Sequence, residues 1–125
     1  MNRSVLYIED DLDNFCLVEQ VLLKRRPDTE VHMATNGHDG ITAAISEQPA
    51  LILLDNRLPD ATGAEVLRQL AAAEATTAIP VVIVSGNTVS ATASELLAAG
   101  AADFLVKPYD IHQLMTIIDR YLPGP

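Results

Sequence analysis

The chain has 125 residues, 49% of them hydrophobic, which predicts one domain with a sizeable core and little room for a second. Eight Lys and Arg against 17 Asp and Glu give a formal charge of −9, which argues against nucleic acid or an anionic membrane as a partner, since both need a basic footprint. The single cysteine, Cys16, rules out an intrachain disulfide and a cysteine zinc site, and no apolar run reaches the ~18 residues of a spanning helix, so a cytoplasmic domain is expected.

Five short apolar runs alternate with five segments of helical periodicity. Val5–Ile8 opens the chain as the first strand. Phe15, Val18 and Leu22, spaced by three and four, mark a helix that Pro27 stops. Lys24, Arg25 and Arg26 lie at its end, where cations complement the helix dipole, and Cys16 reads as a small packing residue within it. In the second run, Val31–Ala34, polar and apolar residues alternate from Glu30 onward, as on a half-exposed edge strand. Ile41, Ala44 and Ile45 mark a second helix ending before Pro49. Leu51–Leu54 is the third run, and Thr62 before Gly63 reads as the N-cap of a helix carrying Val66, Leu67 and Leu70. Val81–Val84 is the fourth run. A weakly amphipathic, alanine-rich helix follows from about Asn87 to Ala99, with Leu96 and Leu97, stopped by Gly100. Its low apolar content predicts mobility. Phe104–Val106 is the last run, and Ile111, Leu114, Ile117, Ile118 and Tyr121 form the strongest stripe. All runs but the second read as strands buried on both faces. The gaps between runs, about 16 to 26 residues, suit helical crossovers. The pattern is α/β, (βα) five times: a doubly wound five-stranded parallel sheet with right-handed crossovers.

Ligands of such sheets sit at the carboxyl ends of the strands. There the chain places Glu9-Asp10-Asp11, then Asp55, Ser85-Gly86 and Lys107-Pro108. Singly, each has a plainer reading: an acidic helix start, a loop carboxylate, a helix cap, a solvated lysine. Convergence of all four on one pocket favours chemistry. Like charges about 4 Å apart repel by about 4 kcal/mol at an effective dielectric of 20. Glu9, Asp10 and Asp55 therefore need a proton or a cation among them, and a divalent ion with hard oxygen ligands suits the set. Lys107 supplies a point charge for phosphoryl oxygens and Ser85 a hydroxyl donor, which makes Asp55 a candidate nucleophile. His32, His38 and His112 share no metal spacing and read as solvated.

Together, Val5–Asp11 (VLYIEDD), Leu51–Asp60 (LILLDNRLPD), Val82–Gly86 (VIVSG) and Asp103–Pro108 (DFLVKP) resemble the receiver domain of two-component response regulators. The resemblance covers essentially the whole chain, as a single domain over 1–125 with no output domain. It implies the flavodoxin-like strand order 2-1-3-4-5. It also implies that Glu9 and Asp10 are the acidic Mg²⁺-binding pair, that Asp55 is phosphorylated, and that the backbone carbonyl of Arg57 is a further metal ligand. Ser85 would bond the phosphoryl group, Lys107 would pair with it, and Phe104 would be the aromatic switch residue. The peptide bond before Pro108 is expected to be cis. Arg57 and Asn87 stand where the family tunes the acyl-phosphate lifetime.

The implied function is Mg²⁺-dependent acceptance of a phosphoryl group from the phosphohistidine of a sensor histidine kinase or phosphotransfer protein. The chain would catalyse only its own phosphorylation and dephosphorylation. A downstream protein would read the surface near the fourth helix and fifth strand. A monomer is expected, because Glu95 is the one ionisable side chain between Asn87 and Ala99. Two alternatives stand beside this reading. One is a degenerate receiver that binds a partner without phosphorylation. The other is a haloacid-dehalogenase-like phosphatase, whose nucleophile however follows the first strand, with a second aspartate where this chain has Arg57.

Overall fold

The computed structural model describes residues 4–86 and 90–122. Strands and helices alternate along the chain: β1 (Ser4–Ile8), α1 (Leu12–Arg25), β2 (Glu30–Ala34), α2 (Gly37–Glu47), β3 (Leu51–Asp55), α3 (Gly63–Ala72), β4 (Val81–Ser85), α4 (Ser90–Ala98), β5 (Asp103–Val106) and α5 (Ile111–Tyr121). The sheet is wholly parallel, in the order β2-β1-β3-β4-β5. This is the expected doubly wound architecture.

The apolar runs lack polar alternation because each central strand is packed on both faces. Val5, Tyr7, Leu51, Leu53, Val82 and Val84 meet Phe15, Val18 and Leu22 of α1 and Leu114, Ile117 and Ile118 of α5. Their neighbours Leu6, Ile8, Ile52, Leu54 and Ile83 face the other way, onto Ala44, Val66, Leu67, Leu70 and Leu96. Period-two alternation thus supplies two separate cores from one run. The helices begin at defined caps. Asp11 accepts from the Asp13 amide at 2.8 Å, Asn36 from the Asp39 amide at 2.8 Å, and Thr62 and Glu65 close a reciprocal capping box. The N-cap read at Thr62 is therefore in place. Gly100, at φ +118, ends the turn after α4 in a conformation that L side chains rarely adopt.

Three readings of the sequence need correction and a fourth needs extending. The fifth run is an edge strand, not one buried on both faces: β5 pairs with β4 alone, Phe104 is half-buried and Val106 is 41% exposed. In α2, Ile45 is exposed, and the helix turns Gly37, Gly40 and Ala44 to the core. The helix comes so close to β1 that a Cβ at Gly40 would lie 2.6 Å from Cδ1 of Ile8. Ile111 opens the α5 stripe but is also exposed. Arg26 does more than complement a dipole. Its guanidinium bonds Asp119 at 2.9 Å and the Leu122 carbonyl at 3.4 Å, joining the ends of α1 and α5. The fourth helix runs over Ser90–Ala98, and the expectations at Asn87 lie outside the described residues.

Alanine is the better helix former, by about 1 kcal/mol over glycine. Gly40→Ala is nevertheless expected to destabilise the protein by about 1–3 kcal/mol, because the added methyl overlaps Ile8. Urea unfolding at equilibrium measures this as a lower midpoint at unchanged slope.

Candidate functional site

Parallel pairing brings the strand ends level. Ile8 is paired with Leu54, Asp55 with Val84, and Ser85 with Val106. The ladder continues one step further through the Glu9 amide on the Ala34 carbonyl and the Lys107 amide on the Ser85 carbonyl, both at 2.8 Å. Four separate segments therefore deliver Glu9 and Asp10, Asp55, Ser85, and Lys107 to one edge of the sheet. Asp11 has a different task, as the N-cap of α1. The acidic start of that helix and the acidic site are thus adjacent, with Asp11 serving the first and its two predecessors facing the second.

Glu9, Asp10 and Asp55 each offer a carboxylate oxygen within 4.8 Å of the others. Glu9 is 1% exposed and Asp55 8%, while Asp10 is open to solvent. Lys107 Nζ stands 3.3 Å from Oε2 of Glu9 and 3.8 Å from Oδ1 of Asp55, and the Asp11 amide donates to Oε1 of Glu9 at 3.1 Å. One lysine is left between two buried carboxylates. Burial, and then the neighbouring Glu9 charge, push the Asp55 carboxyl up to about 6 despite the opposing pull of Lys107. The site is thus short of positive charge. Its donors are hard oxygens gathered within 4.8 Å of one another, a donor set of the kind that Mg²⁺ takes.

Asp55, Asn56, Arg57, Ser85, Gly86 and Lys107 line a cleft of about 340 Å³ beside the acids. Ser85 is buried. Arg57 is exposed, its amide approaches Oδ1 of Asp55 at 3.4 Å, and an antiparallel bridge to Thr62 holds its backbone. The Lys107–Pro108 peptide bond is cis. Phe104 packs, half-buried, against the core beneath α3 and α4. The histidines stand apart: His32 is held by Glu47 and Glu30, away from the cleft.

Two tyrosines beneath the acids escaped the sequence reading. Tyr7 is 0% exposed, and among the described residues its hydroxyl is a buried side-chain oxygen without a hydrogen-bond partner. Tyr109 packs half-buried against the same core. Burial, then Tyr109, Glu9 and Asp55, hold the Tyr7 proton on more tightly than in a free phenol. The available signal was one aromatic hydroxyl in an otherwise aliphatic strand.

A cleft at the carboxyl ends of parallel strands, walled by acids on one side and a lysine on the other, defines a doubly wound α/β domain built to hold an anion beside a cation. Residues 5–119 match the family model of the response regulator receiver domain, and the chain belongs to that family. It is 36% identical over 95 residues to the protein PilH of Pseudomonas aeruginosa, covering 76% of this chain and 78% of PilH. It is 31% identical over 121 residues to hybrid signal transduction histidine kinase G of Dictyostelium discoideum, covering 96% of this chain but 4% of that kinase. Regulatory protein AtoC of Escherichia coli is likewise spanned over only 20% of its length. Among solved structures, the receiver domain of sensor histidine kinase PA1611 from Pseudomonas aeruginosa superposes with a TM-score of 0.84 at 26% identity, over 97% of this chain and 98% of that one. That structure holds a magnesium ion in its active-site cleft. Chemotaxis response regulator CheY4 of Vibrio cholerae shares the fold, with a TM-score of 0.87 over 98% of this chain and 100% of that one, at 24% identity. No described helix is long and apolar enough to cross a membrane.

The Asp55 carboxyl binds its proton more tightly in the folded than in the unfolded chain. Its contribution to stability is therefore complete below the ordinary carboxylate range and lost as pH rises through about 6. Without added metal, the wild type should lose about 1–2 kcal/mol more than Asp55→Asn between about pH 5 and pH 8. At the upper pH, Asp55→Asn should be the more stable protein. Denaturant titrations of both at the two pH values check the sign.

Proposed function

We propose that the chain accepts a phosphoryl group on Asp55 from the phosphohistidine of a sensor histidine kinase or phosphotransfer protein, with Mg²⁺ held by Glu9, Asp10, Asp55 and the Arg57 carbonyl. The observation that carries this reading is one partly buried lysine set between the buried carboxylates of Glu9 and Asp55 at the cleft. A bound Mg²⁺ neutralises the acids and lowers the charge on the incoming phosphoryl oxygens. An Asp55 carboxylate oxygen attacks phosphorus in line. The P–N bond breaks and its electron pair goes to the ring nitrogen, which leaves as neutral imidazole because the other ring nitrogen carries a proton, so the products are an acyl phosphate and neutral histidine. The Lys107 ammonium and Ser85 hydroxyl meet the charge spread over the equatorial oxygens. Water then attacks phosphorus, the bond from phosphorus to the Asp55 oxygen breaks, and inorganic phosphate leaves with the Asp55 carboxylate restored. The chain acts on itself alone, as acceptor and not as a turnover catalyst.

Capture of the phosphoryl group draws Ser85 toward Asp55. Phe104 lies on the adjoining strand and moves into the space released behind the serine, since an unfilled apolar cavity costs roughly 24 cal/mol per Å³. The α4–β5–α5 surface is then read by a downstream protein. In support, α4 is thinly anchored: Leu96 is buried while its neighbour Leu97 is 50% exposed. We infer a cytoplasmic monomer, 1–125 forming a single receiver domain.

Intact mass after treatment with a small acyl-phosphate donor and Mg²⁺ should show one added phosphoryl group in wild type and none in Asp55→Asn. Labelling of the variant at the wild-type level would move the nucleophile elsewhere, and an unlabelled wild type would leave a degenerate receiver. Mg²⁺ alone should raise the melting temperature of wild type, by an amount equivalent to about 1–3 kcal/mol at saturation, and much less that of Asp10→Asn. Amide hydrogen exchange with Mg²⁺ and beryllofluoride should alter protection around Ser85–Ala99 and Phe104–Pro108. A response confined to the Asp55 loop would send the signal out through another surface.

A further inference from the structure

Glu9 is the most deeply buried of the three acids, and both of its oxygens are engaged: Oε1 by the Asp11 amide and Oε2 by Lys107. The lysine has a second claim on it. If phosphorylation at Asp55 draws Nζ toward the new phosphoryl oxygens, as proposed above, Oε2 of Glu9 loses its donor while the carboxylate stays buried. A bound cation takes up part of its charge, and a hydrogen-bond donor to the freed oxygen would fix the carboxylate in position.

Glu9 continues β1, its amide donating to the Ala34 carbonyl. Residues two apart on a strand share a face, which places Tyr7 under Glu9. Tyr7 is 0% exposed, and its hydroxyl carries no partner among the described residues. An orphaned buried hydroxyl is itself unfavourable, so its retention calls for an account. Phenylalanine would fill the same volume without that burden. The hydroxyl is buried on the face of β1 that Glu9 continues, and a phenol is a hydrogen-bond donor.

We propose that Tyr7 is a positioning residue of the acidic site: when Lys107 leaves Glu9 for the phosphoryl group, the Tyr7 hydroxyl replaces it as donor to the Glu9 carboxylate. The exchange holds Glu9 in place for the metal and removes the resting-state cost of an unpartnered hydroxyl. Tyr7 thereby favours the phosphorylated arrangement over the resting one. This rests on the receiver reading above and adds to it a residue within the core of β1.

The test is Tyr7→Phe, which removes one oxygen and keeps the ring. In resting protein without metal, its melting temperature should equal or exceed that of wild type. With Mg²⁺ present, its affinity for beryllofluoride, read by thermal shift, should fall about tenfold, the loss of one hydrogen bond to a charged group. A purely structural tyrosine would move both measurements in the same direction. A spectroscopic arm uses the absence of tryptophan and the count of three tyrosines. In a Tyr109→Phe, Tyr121→Phe double variant all tyrosine emission comes from Tyr7. That emission should fall when Mg²⁺ and beryllofluoride are added, because a hydrogen bond to carboxylate quenches the phenol. Undiminished beryllofluoride affinity in Tyr7→Phe, or unchanged Tyr7 emission on binding, overturns the exchange alone. A wild type that does not respond to Mg²⁺ and beryllofluoride overturns the receiver reading, and the exchange with it.

Discussion

Three carboxylate oxygens lie within 4.8 Å of one another at one edge of the sheet, and much of the site answers to that crowding. At such separations each pair of charges repels by about 3–4 kcal/mol at an effective dielectric of 20. Lys107 offsets part of this, sitting 3.3 Å from Glu9 and 3.8 Å from Asp55. It cannot satisfy both fully, and the Asp55 carboxyl is left with a raised proton affinity. Stored repulsion of this kind makes the pocket receptive to a cation. With a cation bound, the pocket would have the charge to receive a phosphoryl group, as proposed.

Such a cluster persists only because the scaffold under it is stiff. β1, β3 and β4 are buried along their whole length and contribute to two cores at once. Side chains at strand ends inherit that rigidity, while the loops that follow remain free to vary. Close packing extends to α2, which presents glycines where most helices present large side chains. Asp60, in the loop after Asp55, accepts from the Gly37 and His38 amides at 2.7 and 3.0 Å and so fastens that loop to the start of α2. The opposite side of the site is less constrained. β5 is an edge strand with Phe104 half-buried, and α4 is rich in alanine. Rigid acids thus face a looser, lysine-bearing edge across the cleft.

Relatives of very different length contain this unit, from PilH, which it nearly spans, to hybrid kinase G, of which it covers 4%. A common fold can serve different functions in different proteins, because function is carried by sites and not by the fold as such.

The alternation of five aliphatic runs with helical stripes was enough to set the parallel α/β class, because doubly buried strands need residues such as Leu51–Leu54 and Val81–Val84 and tolerate little else. The acidic, hydroxylic and basic residues at the run ends were equally legible, since every crossover returns the chain in the same direction and gathers those ends at one edge. Local signals also sufficed for the Thr62 cap and the half-exposed β2. Periodicity could not assign Ile45 or Ile111, because which apolar side chains face the core depends on how closely each helix approaches the sheet. At Gly40 that approach is set by Ile8, a residue distant in sequence. Nor could the fifth run reveal itself as an edge, since strand order is a property of the assembled sheet. The separate roles of Asp11 and its two acidic neighbours, the bridging position of Lys107 and the orphaned hydroxyl of Tyr7 were decided only by tertiary structure. Each depends on distances between residues brought together by strand register, and such distances have no counterpart in local sequence.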